Sequence, residues 1–412
     1  MSEATARANT RADLVRFVKS NLRDYVLLLA LLAIMVFFQI TTHGTLFMPV
    51  NVTNIILQNS YIVIMALGML LIIIAGHIDL SVGQVSGFIG GFAACLLTGA
   101  MPFATSIGLP FKFDTYSTIA ICIALGAAIG GLQGYFVAYH KIPAFIVTLA
   151  GMLVFRGLEL QELNGASIGP FPPSFQALSN GYIPDIFGFQ AFGAPFNLLA
   201  VLIGIAVTAL MVWSNFRERK NQQDHGLAEE PDLIFYGRNL LIAVAFIGFA
   251  VLMARYKGLP NVLVVMFALI ALFVFVTTRT TFGRRVYAMG GNEKAAKLSG
   301  INTERMTFLI FTIMGALAAL AGLIFAARLN VASPKAGLGF ELDVIAACFI
   351  GGAAVTGGVG KVVGAVIGAF IMGVMNNGMS IMSIDIGWQF VIKGVVLMFA
   401  VFLDVYYKDK AR

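Results

Sequence analysis

The chain has 412 residues, 59% hydrophobic and only 11% charged, with a net charge of +7. Soluble domains carry roughly 25% charged residues, so this composition excludes an ordinary soluble enzyme or binding domain. It also excludes a transmembrane β-barrel, whose short alternating segments are absent. The positive balance does not point to nucleic acid, because it collects in polar links between apolar runs of membrane-spanning length.

A polar tail precedes the first apolar run, Tyr25 to Ile40, which ends without a small-residue cleavage site. That run reads as a retained span, not a cleaved signal peptide. Taken in order, the apolar runs predict an all-α polytopic membrane protein of about twelve spans: 25–41, 54–75, 81–100, 117–139, 143–160, 196–214, 238–254, 259–277, 306–327, 342–356, 361–382 and 386–405. The fifth, seventh and tenth are short for a hydrocarbon core of about 30 Å. With the N-terminus in the cytoplasm, 20 Lys/Arg fall on the cytoplasmic side and 5 on the outer side. The positive-inside rule therefore places both termini inside. Arg156 and Lys393 lie within spans, and Lys393, about 10 Å deep, is expected to snorkel or to pair with an outer carboxylate.

The links differ in character. The outer loop 161–195, rich in Gly, Pro and aromatics, is expected to be ordered against the outer face. The charged 215–238 link reads as a solvated connector. The 278–305 link holds a short helix: Asn292 can cap it, Glu293 and Lys297 form an i,i+4 pair, and Gly300 can end it. Ala295, Ala296 and Leu298 give that helix a small apolar surface, suited either to docking on another protein or to nothing in particular.

Within the spans, Gly83/Gly87/Gly91, Gly126/Gly130/Gly134 and Gly360/Gly364/Gly368 each repeat every four residues. One face of each helix is thus small, as close helix packing in lipid requires. In A-G-H-I-D-L-S-V-G, Ala75 to Gly83, a carboxylate sits at a membrane boundary. Asp79 or Ser81 can cap the third span, and the pair can also shape a pathway or its inner gate. From Gly337 to Lys361, glycines break the tenth span early, as in discontinuous membrane helices, while Glu341 and Asp343 read as an acidic helix start. Cys95, Cys122 and Cys348 sit in apolar runs and the four histidines lack zinc spacing, so no metal site is expected. G-A-S-I-G at 165–169 lacks the strand-turn-helix setting of a hydrolase elbow, and Gly360-Lys361 lacks the rest of a phosphate loop. No catalytic residues are expected, and the chain is not read as an enzyme.

Several stretches carry a family likeness: I-D-L-S-V-G at 78–83, G-R-R-V-Y-A-M-G-G-N-E-K-A-A-K-L-S-G-I at 283–301, and G-F-E-L-D-V-I-A-A through G-G-V-G-K at 339–361. N-N-G-M at 376–379 and V-I-K-G-V-V-L in the tail fit as well. The chain resembles the ribose/xylose-type sugar permeases of ATP-binding-cassette importers, most of all the xylose or multiple-monosaccharide branch. The resemblance implies a single permease domain, 1–412, with N-terminal helices at 25–160, an inserted helix pair at 196–254 and C-terminal helices at 259–405. It implies a bacterial inner-membrane protein, embedded in lipid, that works as two copies with cytoplasmic ATPase subunits and a periplasmic sugar-binding protein, and without nucleic acid. It implies that the chain binds no cofactor of its own, ATP and Mg²⁺ belonging to the ATPase. It also implies that the ATPase docks on the cytoplasmic loop 282–301, with Gly283, Arg284, Gly290, Gly291, Asn292, Glu293, Ala295, Ala296 and Gly300 as the expected coupling residues. A neutral sugar needs spaced polar groups, so Gln58, Asn59, Gln84, Gln133 and Asn376 join Asp79 and Ser81 as pathway candidates. The alternative is an ion-coupled secondary transporter, disfavoured because no carboxylate relay is visible near the midplane.

Overall fold

The computed structural model describes residues 22–100, 112–191, 194–225 and 231–410. The N-terminal tail and part of the charged link lie outside them. Fifteen helices are described, together with one pair of two-residue strands, β1 (Gln190–Ala191) and β2 (Ala194–Pro195). Eight of these helices are long and apolar enough to cross a membrane, and Leu27–Thr41, Val82–Thr98 and Ile386–Phe399 are shorter apolar stretches.

The first five helices are α1 (Leu22–Thr41), α2 (Pro49–Ile74), α3 (Val82–Thr98), α4 (Thr115–Ala138) and α5 (Ala144–Glu162). The second half of α2 is apolar on every side and lies at the centre of the bundle: every residue from Ile62 to Ile74 is buried. The described residues of the 161–195 loop pack on the bundle: α6 (Pro173–Asn180) seats Phe175 in the core, and Ile168 bridges to Ala332.

Helices α7 (Leu198–Asp224) and α8 (Asp232–Ala254) extend into the charged link from its two sides, and residues 215–225 stay mostly exposed, as expected of a solvated connector. The two helices are pinned across their ends by Asn215 Nδ2 donating to Asn239 Oδ1 at 2.8 Å and by an Arg219–Asp232 ion pair. The shortness expected of the fifth and seventh spans is corrected, since α5 has 19 residues and α8 has 23.

Next come α9 (Asn261–Arg279), α10 (Thr281–Gly291), α11 (Glu293–Leu298) and α12 (Thr303–Leu329), then α13 (Phe340–Ile350), α14 (Val362–Ile381) and α15 (Ile386–Lys410). Helix α12 is the second centre of the bundle, packed on α2, α3 and α4. It runs antiparallel to α4: Gly126 faces Gly315 and Ala319, Gly130 faces Phe311 and Gly315, and Gly134 faces Phe308 and Phe311. Helices α13 and α14 pack in the same way, with Gly364 on Gly351 and Gly368 on Ala347. Gly126/Gly130/Gly134 and Gly364/Gly368 do what small faces do in lipid, whereas Gly360 lies before α14 starts and faces the Leu70 and Ile74 side chains instead of sharing that helical face.

Helix α13 has 11 residues and rises about 16 Å, half of a hydrocarbon core. The tenth span is therefore a broken one, a half-helix followed by the non-helical segment 351–361, as its glycines suggested.

Candidate functional site

Two non-helical segments, 75–81 and 330–339, lead into α3 and α13, and they bring the starts of these helices together. Gly83 lies against the Gly337 carbonyl and the Glu341 carboxylate, and Gly87 lies against the Ala336 carbonyl. Asp79 organises the first segment. Its Oδ1 accepts the Ser81 N–H at 2.8 Å and the Ser81 hydroxyl at 2.7 Å. Gln133 Nε2 of α4 donates to the same hydroxyl oxygen at 2.9 Å. Of the two expected caps, Asp79 is the one that holds backbone here; the Ser81 side chain makes no cap bond. Asp79, Ser81 and Gln133 are all buried.

The second segment is held by charge. Arg156 of α5 donates to Glu159 at 2.9 Å and also to the Pro334 carbonyl. Across α13, Lys393 pairs with Asp343 at 3.0 Å, and Asn376 Nδ2 donates to Asp343 Oδ2 at 3.1 Å. Lys393 thus takes the carboxylate partner expected of it. Glu341 and Asp343 do not form a solvated helix start: they are 9% and 8% exposed.

The third glycine series departs from the packing expectation. Methyl groups at Gly83, Gly87 and Gly91 would meet, at under 3.0 Å, the carboxylate oxygens of Glu341, Glu159 and Glu162. This small face of α3 admits three acids as well as the backbone of Ala336 and Gly337. Buried oxygens without a hydrogen-bond partner gather in this region: Gln84 Oε1, Glu159 Oε1, Glu162 Oε1, Glu341 Oε2 and Asn376 Oδ1. Glu162 escaped the sequence reading because the fifth span was ended at 160 and the loop begun at 161, and Glu159, inside that span, was passed over beside Arg156. The available signal was Arg156, Glu159 and Glu162 at three-residue spacing, one helical face among apolar neighbours. Glu159 and Glu162 lie in the last turn of α5 and Glu341 in the first turn of α13.

The remaining pathway candidates are scattered. Asn59 is buried and donates to the Ala369 carbonyl at 2.7 Å, away from the α3–α13 junction. Gln58 is half-buried on α2.

The 278–305 link folds into α10 and α11. Thr280 caps α10 by accepting the Gly283 N–H at 3.3 Å. Gly283 is pressed on the backbone of Val276 and Thr277, and Gly290 on the Ile74 carbonyl, while Gly291 faces open space and Arg284 is exposed. Asn292 Oδ1 accepts the Ala295 N–H at 3.0 Å. Gly300 closes α11 at φ +82°, with the Ile301 N–H returning to the Ala296 carbonyl at 3.1 Å, a Schellman stop. Two details are corrected. Lys297 pairs with Glu304 at 2.6 Å and not with Glu293, and this hydrogen-bonded carboxylate holds the Lys297 ammonium above its ordinary pKa. Ala296 is 4% exposed and faces inward, so the exposed apolar side chains of α11 are Ala295 and Leu298, the latter 90% exposed.

Residues 51–401 match the family described as branched-chain amino acid transport system / permease component. The chain belongs to this permease family. Among curated relatives, the permease is 41% identical to the xylose transport system permease protein of Haemophilus influenzae, over 95% of this chain and 98% of the relative. It is 40% identical to the xylose transport system permease protein of Escherichia coli K12, over 93% and 92%. It is 31% identical to the ribose import permease protein of the same organism, over 94% and 95%. No solved structure matches. The family is one of transport subunits, and the apolar helices make this permease a multi-pass membrane protein.

Proposed function

We infer that this permease is the membrane subunit of an ATP-driven importer that carries a monosaccharide, a pentose such as xylose foremost, across the bacterial inner membrane. The observation that carries this reading is the 41% identity to a xylose permease over 95% of the chain. The buried polar groups at the α3–α13 junction suit such a cargo. Gln84, Asn376 and the glutamates present acceptor oxygens without partners, and a neutral sugar supplies hydroxyl donors to acceptors of this kind. Asp79, Ser81, Gln84, Gln133 and Asn376 are the proposed pathway and gate residues.

Two copies form the pathway, with both termini and the 282–301 loop in the cytoplasm. The loop receives a separate ATPase, a periplasmic protein delivers the sugar, and α7–α8 is a pair inserted at the lipid-facing edge. A bundle of about twelve passes, with α3 and α13 as partial ones, satisfies this topology. The ATPase uses ATP and Mg²⁺; the permease hydrolyses nothing itself.

Transport decides between this reading and an ion-coupled one. In proteoliposomes holding the permease, the ATPase and the binding protein, xylose uptake is expected to require ATP and to survive collapse of proton and sodium gradients. Uptake that stops with an ionophore while ATP remains overturns the ATP-driven reading. For docking, Leu298→Glu places a charge on the exposed face of α11; it is expected to leave the permease folded and to release the ATPase. Lys220→Ala, in the α7–α8 pair, is the control and is expected to change neither.

A further inference from the structure

Three pieces of backbone meet where α2 ends. The Gly358 N–H donates to the Ile74 carbonyl, the last residue of α2, at 2.8 Å. Gly290, next to the end of α10, lies on the same carbonyl and on the Gly358 nitrogen, with no room for a methyl group. One turn earlier on α10, the Tyr287 hydroxyl donates to the Gly360 carbonyl at 2.6 Å. The end of α2, helix α10 and the segment that breaks α13 from α14 are thus joined by contacts that run mostly backbone to backbone.

The mechanical consequence follows from what is missing between them. A side chain at an interface can change rotamer and absorb a displacement. Glycine against a carbonyl cannot, so a shift of α10 must be passed on or the contact must open. The receiving segment is suited to move: 351–361 has no helix, and Gly357 and Gly358 take φ values of +80° and +76° that favour glycine. Beside it lies a cavity of about 190 Å³ lined by Tyr287, Gly352, Val359 and Gly360 among others. Side-chain volume would fill such a space in an element built to stay still. Away from this contact α10 carries the exposed Arg285, and it leads directly into α11 with its exposed Leu298.

We propose that Tyr287 and Gly290 are positioning residues for transport: they carry a displacement of the α10–α11 loop to the end of α2 and to the glycine hinge between α13 and α14. This rests on the reading of that loop as the ATPase dock. The Tyr287 hydroxyl is the part that can be removed without changing shape.

The test compares Tyr287→Phe with wild type in the reconstituted complex with ATPase and binding protein, using xylose as the probe. Co-purification, ATP hydrolysis and uptake are measured together. Expected are a complex at wild-type yield, unchanged ATP hydrolysis, and xylose uptake per ATP lowered about fivefold, the equilibrium weight of one neutral hydrogen bond. Wild-type uptake per ATP overturns the proposal, and so does a parallel fall of hydrolysis and uptake, which would mark lost assembly. Val359→Phe, at a side chain 44% exposed, fills the cavity and is expected to lower the same ratio. If Tyr287→Phe does not reach the membrane, the Val359→Phe ratio decides, with a wild-type value overturning. The Leu298→Glu arm reports the dock by itself: a complex that survives it overturns the docking reading, independently of the Tyr287 ratio.

Discussion

Two glycine faces with the same spacing do opposite work in this protein. Gly126, Gly130 and Gly134 let α4 press its backbone on the backbone of α12, where the opposing atoms belong to Phe308, Phe311, Gly315 and Ala319. Gly83, Gly87 and Gly91 clear a face of α3 on which Glu341, Glu159 and Glu162 rest their carboxylates. The first face is rigid against rigid, and any added atom displaces a helix. On the second, Gly83 and Gly87 each meet a carboxylate tip beside the backbone of Gly337 or Ala336, and Gly91 meets side chains alone, whose tips can swing. What a small face is for depends on what stands opposite, and spacing along the helix does not contain that information.

The contrast can be broken in graded steps. Gly130→Leu should have the largest effect, because even a methyl there overlaps the Phe311 carbonyl and Gly315. A loss of about 3 kcal/mol or more is expected, near the upper end for overpacked cores, seen as loss of monodisperse protein in detergent. If Gly130→Leu retains the wild-type thermal midpoint, α4 and α12 are not packed as described.

Arg156→Met comes next. It leaves Glu159, whose side chain is wholly buried, facing no counter-charge. Stranding one member of a buried pair costs about 3 kcal/mol. Arg156→Met/Glu159→Gln should recover most of the lost thermal stability, since no buried charge is then left uncompensated. A double variant as unstable as the single one would show that Arg156 acts through the Pro334 carbonyl and not through Glu159.

Gly91→Ala should have the smallest effect, about 1 kcal/mol, because the Glu162 carboxylate nearest the new methyl can move aside. The change should vanish in a Glu162→Ala background. The cycle sharpens the comparison: strong coupling between positions 91 and 162, and none between 130 and 162, is the signature of one face opposed by a side chain and the other by a helix.

A second pair of regions makes the same point about local and non-local causes. The ends of α11 were legible because capping works over three or four residues: an Asn side chain reaches the N–H three positions on, and a glycine reverses the chain at the stop. The middle of the same helix was not. Lys297 had a partner at the helical spacing in Glu293, yet Glu304 at the start of α12 takes it. Ala296 was assigned to an exposed surface, yet it faces inward because α11 lies against α12. At the 215–238 link, the mixed charge that suggested a connector is also what two long helices carry where they leave the membrane.

By itself the sequence determined that the chain is a helical membrane bundle, since so apolar a composition in runs of this length has no other stable solution in water or lipid. It also determined where most helices lie, the breaking of the tenth span by its glycines, and the family, through stretches such as 283–301. Tertiary structure alone decided which faces meet. Whether a glycine face admits a helix or an acid, which carboxylate takes Lys297, and that Tyr287 reaches Gly360 across 73 residues of chain are contacts between segments far apart in sequence. Their energies depend on distances of a few ångströms that no local pattern encodes.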